Sequence, residues 1–75
     1  MTRLVPMSVR KAERLILRLG FRRVRQKGSH AIYEHPDGRA AMLPIHYGED
    51  IGKGLLKKII EEDLKITMDE FVELR

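Results

Sequence analysis

Two glycine-containing turns divide the middle of the chain into three runs of strand length. Gly28-Ser29 separates residues 21–27 from residues 30–35, and Pro36-Asp37-Gly38-Arg39 separates the latter run from residues 40–44. Glycine accepts the positive φ angle that a tight hairpin needs, and proline fixes φ at the value that begins a turn. The spacing therefore predicts three consecutive antiparallel strands joined by two short hairpins.

Helical patterns flank the three predicted strands. Ser8 is a suitable N-cap for a helix that runs to about residue 19, and Gly20 stands where a helix commonly ends. The apolar stripe of this helix comprises Val9, Ala12, Leu15, Ile16 and Leu19. A second helix is predicted over residues 53–63. The side chains predicted to face the core from it are Leu55, Leu56, Ile59 and Ile60.

A short last helix is predicted from Thr67 and Glu70, which match a capping box. The order of elements is therefore αβββα followed by a short helix. Two helices packed on one face of a three-stranded antiparallel sheet satisfy the rules of layer packing, so the predicted fold class is α+β. With 75 residues, of which 43% are hydrophobic, the chain is expected to form a single domain over residues 1–75.

The chain contains no cysteine, which excludes disulfide bonds, zinc–thiolate sites and thiol nucleophiles. It also has no apolar run long enough for a signal peptide or a membrane span, so we expect a cytoplasmic protein without a membrane partner.

Charge is strongly segregated along the chain, although the net charge is only +4. Residues 1–30 contain nine lysines and arginines against one acidic residue, whereas residues 31–75 contain six basic and ten acidic residues. A basic surface of this kind is typical of a site that binds a polyanion, and we interpret it as a nucleic-acid site. The acidic segment of residues 61–73 is expected to stay away from the nucleic acid.

Strand alternation assigns the basic residues of the first strand to faces. A regular strand would place Arg23, Arg25 and Lys27 on one side of the sheet. The second strand has apolar residues on both faces, so alternation leaves its buried face undetermined. His30 and His35 are five residues apart and are predicted on opposite faces, which argues against a metal site built from the histidines.

Several segments, in order and with their spacing, resemble the HicA family, also called YcfA-like, of small toxins from bacterial and archaeal toxin–antitoxin pairs. The resemblance covers roughly residues 8–74. The matching segments are Leu19-Gly20-Phe21, Lys27-Gly28-Ser29-His30, His35-Pro36-Asp37-Gly38, Pro44-Ile45-His46 and Gly52-Lys53-Gly54-Leu55-Leu56. Leu55 departs from the family, whose members commonly carry threonine there, and this is expected to affect the start of the second helix more than the chemistry.

The resemblance implies a double-stranded-RNA-binding-like fold and endoribonuclease activity on messenger RNA, with His30 as the catalytic residue. Histidine suits this role because it exchanges protons near neutral pH. No metal or cofactor is required, because RNA carries its own nucleophile in the 2′-hydroxyl. The residues expected to contact RNA are Arg23, Arg25, Lys27, Gly28 and Ser29.

The resemblance also implies a HicB-type antitoxin as partner, a separate chain with its own DNA-binding region. Direct DNA binding by this chain alone is therefore not expected. We predict that the antitoxin covers His30 and the basic strand, with Leu17 and Tyr47 as candidate apolar anchors, because the predicted core does not use them.

Other interpretations remain open at the level of sequence. A non-catalytic RNA-binding module of the same fold would explain everything except His30, which would then be a strand histidine that only fills space. A DNA-binding module lacks a recognition helix with clustered base-reading side chains. His46 follows Pro44 in a loop and is a candidate second proton carrier, a role that the sequence leaves undecided.

Overall fold

The computed structural model describes residues 5–74 and has the predicted α+β architecture. Its strands are β1 (Met7–Ser8), β2 (Arg22–Lys27), β3 (His30–Glu34), β4 (Ala40–Pro44) and β5 (Asp50–Ile51). Its helices are α1 (Val9–Arg18), α2 (Lys53–Lys58), a π-helix (Ile59–Leu64) that continues α2, and α3 (Met68–Glu73).

The main sheet has the strand order β2-β3-β4, and both pairings are antiparallel, as predicted. Its buried residues are Ala31, Tyr33, Ala41 and Leu43, which alternate with more exposed residues. One face of the sheet is therefore covered by the helices, and we call the other its open face. A second, two-stranded ladder pairs Met7 with Ile51 and Ser8 with Asp50. This ladder was not predicted, because two-residue strands carry no alternation.

Helix α1 begins and ends at the predicted residues. The Ser8 side chain accepts a hydrogen bond from the Lys11 backbone N–H at 3.1 Å, and Gly20 has a φ of +99° just beyond the helix. The first four members of the predicted stripe are buried and Leu19 is half-buried. Leu17 lies off this stripe and is 47% exposed, so it stands on the outer surface of α1.

The second predicted helix is present, but its last six residues form a π-helix. The wider π turn keeps Ile59, Ile60 and Leu64 buried together. The prediction that Leu55 faces the core is wrong, because its side chain is 47% exposed. Leu55 lies at the margin of the apolar arc centred on Leu56, since consecutive helical residues are about 100° apart.

The Arg39 side chain connects the β3–β4 turn to the π-helix. Its Nε lies 2.7 Å from Asp37 Oδ2, one terminal N–H donates to the Leu64 carbonyl at 2.5 Å, and its guanidinium stands 5.2 Å from the centre of the Phe21 ring. The backbone N–H of Arg39 also donates to the Asp37 carboxylate and is the main reason that the Asp37 pKa is lowered. The chain closes with α3, whose predicted capping box of Thr67 and Glu70 is confirmed.

Candidate functional site

His30 is the first residue of β3 and is exposed on the open face of the sheet. It pairs with Lys27 of β2 across the two-residue turn and with Pro44 of β4 on its other side. Cross-strand partners project to the same face of a sheet, so the side chains of His30 and Lys27 leave the sheet next to each other.

The turn between Lys27 and His30 is built from Gly28 and Ser29. Gly28 has a φ of +60°, whereas Ser29 has no positive φ, which is the pattern of a type II′ hairpin turn. A Cβ atom added to Gly28 would meet no heavy atom within 4 Å. The turn therefore needs glycine for its backbone conformation, and the space in front of Gly28 is open.

The strands on both sides hold this turn in place. The Gln26 side-chain amide donates to the Gly28 carbonyl at 3.0 Å, and the Ile45 backbone N–H donates to the Ser29 carbonyl at 2.6 Å. Both turn carbonyls are thus occupied within the protein. The predicted contact residues Gly28 and Ser29 are exposed at one end of the sheet, next to His30.

The basic residues of β2 do not share one face, contrary to the prediction. Arg23 pairs with Tyr33, but Arg25 pairs with Ile32, because the register shifts at Val24. A β-bulge of this kind adds one residue to a strand and reverses the faces of the residues that follow it. Arg25 and Lys27 therefore lie on the open face with His30, and Arg23 lies on the face covered by the helices.

Arg23 is bound within the protein. Its terminal N–H groups donate to Tyr47 Oη at 3.2 Å and to the Gln26 side-chain carbonyl, and one of them lies 3.5 Å from Glu13 Oε2. The hydrogen bond to Tyr47 raises the pKa of Arg23. Arg23 thus joins β2 to α1 and to the β4–β5 loop.

The buried Tyr33 hydroxyl donates to the same Glu13 carboxylate. Burial, and then this hydrogen bond, raise the pKa of Tyr33. The carboxylate, the tyrosine and Arg23 form one polar network under the sheet, on the side away from His30.

A groove of about 240 Å³ adjoins His30 where the edge of β4 meets the helices. It is lined by His30, Met42, Pro44, Leu55, Lys58, Ile59 and Asp63. Sequence reasoning missed Lys58 and Asp63, and it placed the acidic segment that contains Asp63 away from the site. The five-residue separation of these two residues brings them together because the π-helix has a wider turn than an α-helix, and the local sequence gives no signal for that turn.

Asp63 is half-buried at the edge of the sheet. Burial is the main cause that raises its pKa, and Glu62 adds to this effect, while Lys58 and a hydrogen bond from the Met42 backbone N–H act in the opposite direction. The carboxylate therefore stands next to the Met42 amide of the edge strand β4 and has acceptor positions available to the groove.

The other two histidines stand apart from this groove. The His35 ring packs edge-on against Phe21, its Nε2–H donates to the Leu19 carbonyl at 3.1 Å, and its Nδ1 accepts from the Asp37 backbone N–H at 3.1 Å. His35 thus connects the end of α1 to the β3–β4 turn. His46 is exposed in the loop after β4.

The described residues contain no group of three or more histidine and acidic side chains arranged to hold a metal ion. Between residues 5 and 74, no helix has the length and apolar character needed to cross a membrane.

A family model described as HicA toxin of bacterial toxin–antitoxin matches residues 9–66 of the 75-residue chain. The match extends from α1 past the end of the π-helix, so it includes the Gly28-Ser29 turn, His30 and every residue that lines the groove. A comparison with curated proteins gave no match.

Proposed function

Because this chain belongs to the HicA toxin family of bacterial toxin–antitoxin systems, we propose that it is an endoribonuclease that cleaves messenger RNA. The observation that carries this proposal is the Lys27–His30 pair on the open face, with Arg25 beside it. An exposed proton carrier next to two cations suits the chemistry of a phosphodiester.

In the proposed reaction, His30 acts as a general base on the 2′-hydroxyl of the RNA. The 2′-oxygen forms a bond to the adjacent phosphorus, the bond from phosphorus to the 5′-oxygen breaks, and the proton taken up by His30 or one from water ends on the leaving oxygen. Arg25 and Lys27 stabilise the extra negative charge of the phosphorane. Acid–base help of this kind typically contributes about 10² to 10⁴ in rate.

Gly28 and Ser29 complete the proposed RNA contact. The open space in front of Gly28 supports close approach of a phosphate to the backbone, since no side chain blocks it. Arg23 is no longer part of this contact, because its guanidinium is engaged with Glu13 and Tyr47 on the opposite side of the sheet.

A toxin of a toxin–antitoxin system acts together with a cognate antitoxin, and we propose that the partner here is of the HicB type. Beside His30, Met42 is 48% exposed and Leu55 is 47% exposed, which offers apolar contact area on the same face of the sheet as Arg25 and Lys27. An acidic partner that covers these two side chains would occupy the site directly. The anchors predicted from sequence, Leu17 and Tyr47, lie on the α1 side and do not adjoin the groove.

A non-catalytic RNA-binding module is the alternative, since the same basic surface supports both functions. The two are separated by comparing wild type with His30→Ala on a defined messenger RNA and in growing cells, with His46→Ala as the matched control. We expect His30→Ala to lose cleavage and growth arrest, and His46→Ala to keep both.

Thermal unfolding of both variants would show whether the fold is retained, which we expect because both histidines are exposed. Undiminished cleavage by a folded His30→Ala variant would contradict the catalytic assignment. RNA binding without cleavage by the wild type would favour the alternative function.

A further inference from the structure

We propose that the groove beside His30 binds one nucleobase of the RNA, and that Asp63 selects guanine there. This inference rests on the proposed function only in that RNA must lie on the open face. It concerns sequence preference and names two groove residues, Asp63 and Lys58, that the proposed cleavage chemistry does not use.

The walls of the groove favour a base rather than a phosphate. Met42 and Leu55 are each nearly half exposed, so both have apolar surface available to a flat ring. The Asp63 carboxylate is negatively charged in its ionised form and repels a phosphate. At about 240 Å³, the groove is smaller than the roughly 300–1,000 Å³ typical of pockets for drug-sized ligands, which suits a single base.

The polar group in the groove determines which base it accepts. Asp63 has two carboxylate oxygens and therefore about four acceptor positions, and its interaction with the Met42 backbone N–H leaves most of them available. The Watson–Crick edge of guanine carries two adjacent donors, N1–H and the N2 amino group. Adenine, cytosine and uracil each present a single donor on that edge. Only guanine can therefore donate two parallel hydrogen bonds to one carboxylate.

Lys58 provides the countercharge in the same groove. Burial raises the pKa of Asp63, and the positive charge of Lys58 partly offsets this effect in favour of the ionised carboxylate that accepts both donors. Lys58 is exposed and remains within reach of solvent and of a flanking phosphate. A guanine seated between Met42 and Leu55 places its own backbone beside His30, so the groove would set the position of cleavage.

The test measures binding of the full chain to short oligonucleotides that carry 2′-O-methyl groups and cannot be cleaved. The oligonucleotides share one sequence and differ at a single position that carries guanine, adenine, cytosine, uracil or hypoxanthine, which lacks the N2 amino group. A bidentate contact predicts that guanine binds about 5- to 150-fold more tightly than the other bases. The oligonucleotide with hypoxanthine should bind more weakly than the one with guanine, because it lacks the N2 amino group and keeps only one of the two donors.

The variant Asp63→Asn keeps an oxygen that can accept from the Met42 N–H but removes the paired acceptors. We expect it to abolish the guanine preference while binding of the other oligonucleotides changes little. Glu62→Gln is the matched control, since it removes one negative charge from the neighbouring exposed residue and should keep the preference.

Thermal unfolding shows that each variant is folded, and Met42→Trp provides a second variant whose larger apolar side chain fills the groove without adding a charge beside Asp63. Met42→Trp should likewise abolish the guanine preference. Equal binding of all five oligonucleotides by the wild type would overturn the proposal, as would a guanine preference that survives in Asp63→Asn. Selective binding without cleavage of an unmodified RNA would refute the ribonuclease function and leave the base site standing.

Discussion

Arg23 and Arg25 project to opposite faces of the same sheet although only one residue separates them. The bulge at Val24 causes this separation, and as a result the basic residues of β2 have two different roles. Arg23 holds α1 through Glu13, while Arg25 stands on the open face with His30. Changing either arginine to glutamine removes the same charge, so the two substitutions distinguish the roles of the two faces.

Arg25→Gln should weaken RNA binding more than Arg23→Gln does. Each phosphate contact releases counterions, so loss of one contact should reduce the slope of log K against log salt by about 0.7 for single-stranded RNA. Binding titrations at several salt concentrations measure this slope. Arg23→Gln should leave the slope unchanged and lower stability instead. Equal slopes for the two variants would show that the open face is not the RNA-binding face.

Gly20→Ala should destabilise the fold more than Gly28→Ala. Both glycines have positive φ, which costs a residue with a Cβ about 1–2 kcal/mol. At Gly20 the new Cβ would also stand 3.0 Å from His35 Nε2, whereas at Gly28 it would meet nothing within 4 Å. Urea unfolding measures both changes.

Cleavage by these two glycine variants should follow the reverse order. Under conditions where both are folded, Gly28→Ala should lose more activity, because its methyl group occupies the space in front of the turn. Similar activity in the two variants would argue against backbone access at Gly28.

Tyr33→Phe should lower stability at neutral pH by about 1.5–3 kcal/mol, because a buried hydrogen bond to a charged group is lost. The raised pKa of Tyr33 also means that the folded state retains this proton at pH values where the unfolded chain releases it. The stability associated with this shift is complete below pH about 10, and it is lost as the pH rises further.

Unfolding free energies of wild type and Tyr33→Phe should therefore begin to converge as the pH rises above about 10. The difference in unfolding free energy between the two proteins does not include the effect of lysines that titrate in the same range, because both proteins contain them. A difference that stays constant across this range would mean that Tyr33 does not carry the alkaline sensitivity.

Chelation of divalent metals should leave RNA cleavage unchanged, since the proposed chemistry uses only the 2′-hydroxyl, His30 and two cations. Initial rates with and without EDTA, at matched ionic strength, provide the measurement. Loss of activity in EDTA that one divalent ion restores would replace this mechanism with a metal-dependent one.

Local chemistry explains which parts of the fold could be predicted. The Ser8 cap, Gly20 and the Thr67–Glu70 capping box each satisfy backbone groups within a few residues, so their sequence signals are self-contained. The two hairpins are equally local, because Gly28 and Pro36-Asp37-Gly38 fix their own turn conformations. From these features, the first and last residues of most strands and helices could be predicted to within one or two positions.

The remaining features depend on packing between distant residues. The bulge at Val24 and the π-helix each alter side-chain direction by a single residue, and periodicity assumes that neither occurs. Leu55 was assigned to the core because it lies at the margin of the apolar arc of α2, whereas Arg23 was assigned to the wrong face because periodicity does not foresee the bulge. Asp63 was missed because periodicity does not foresee the π-helix either, although the position of His30 beside Lys27 followed directly from the hairpin.

The position of Asp63 next to the Met42 amide has a consequence for contacts between copies of this chain. This amide belongs to β4, and with the π-helix alongside, that edge of the sheet is shielded from strand pairing. The opposite edge is β2, whose exposed residues include Arg22, Arg25 and Lys27. The β2 edges of two copies would repel each other because both are positively charged, and the bulge at Val24 would prevent regular pairing between them. The sheet is thus protected from growing into a continuous ribbon of copies, and aggregation by that route is disfavoured even at high concentration.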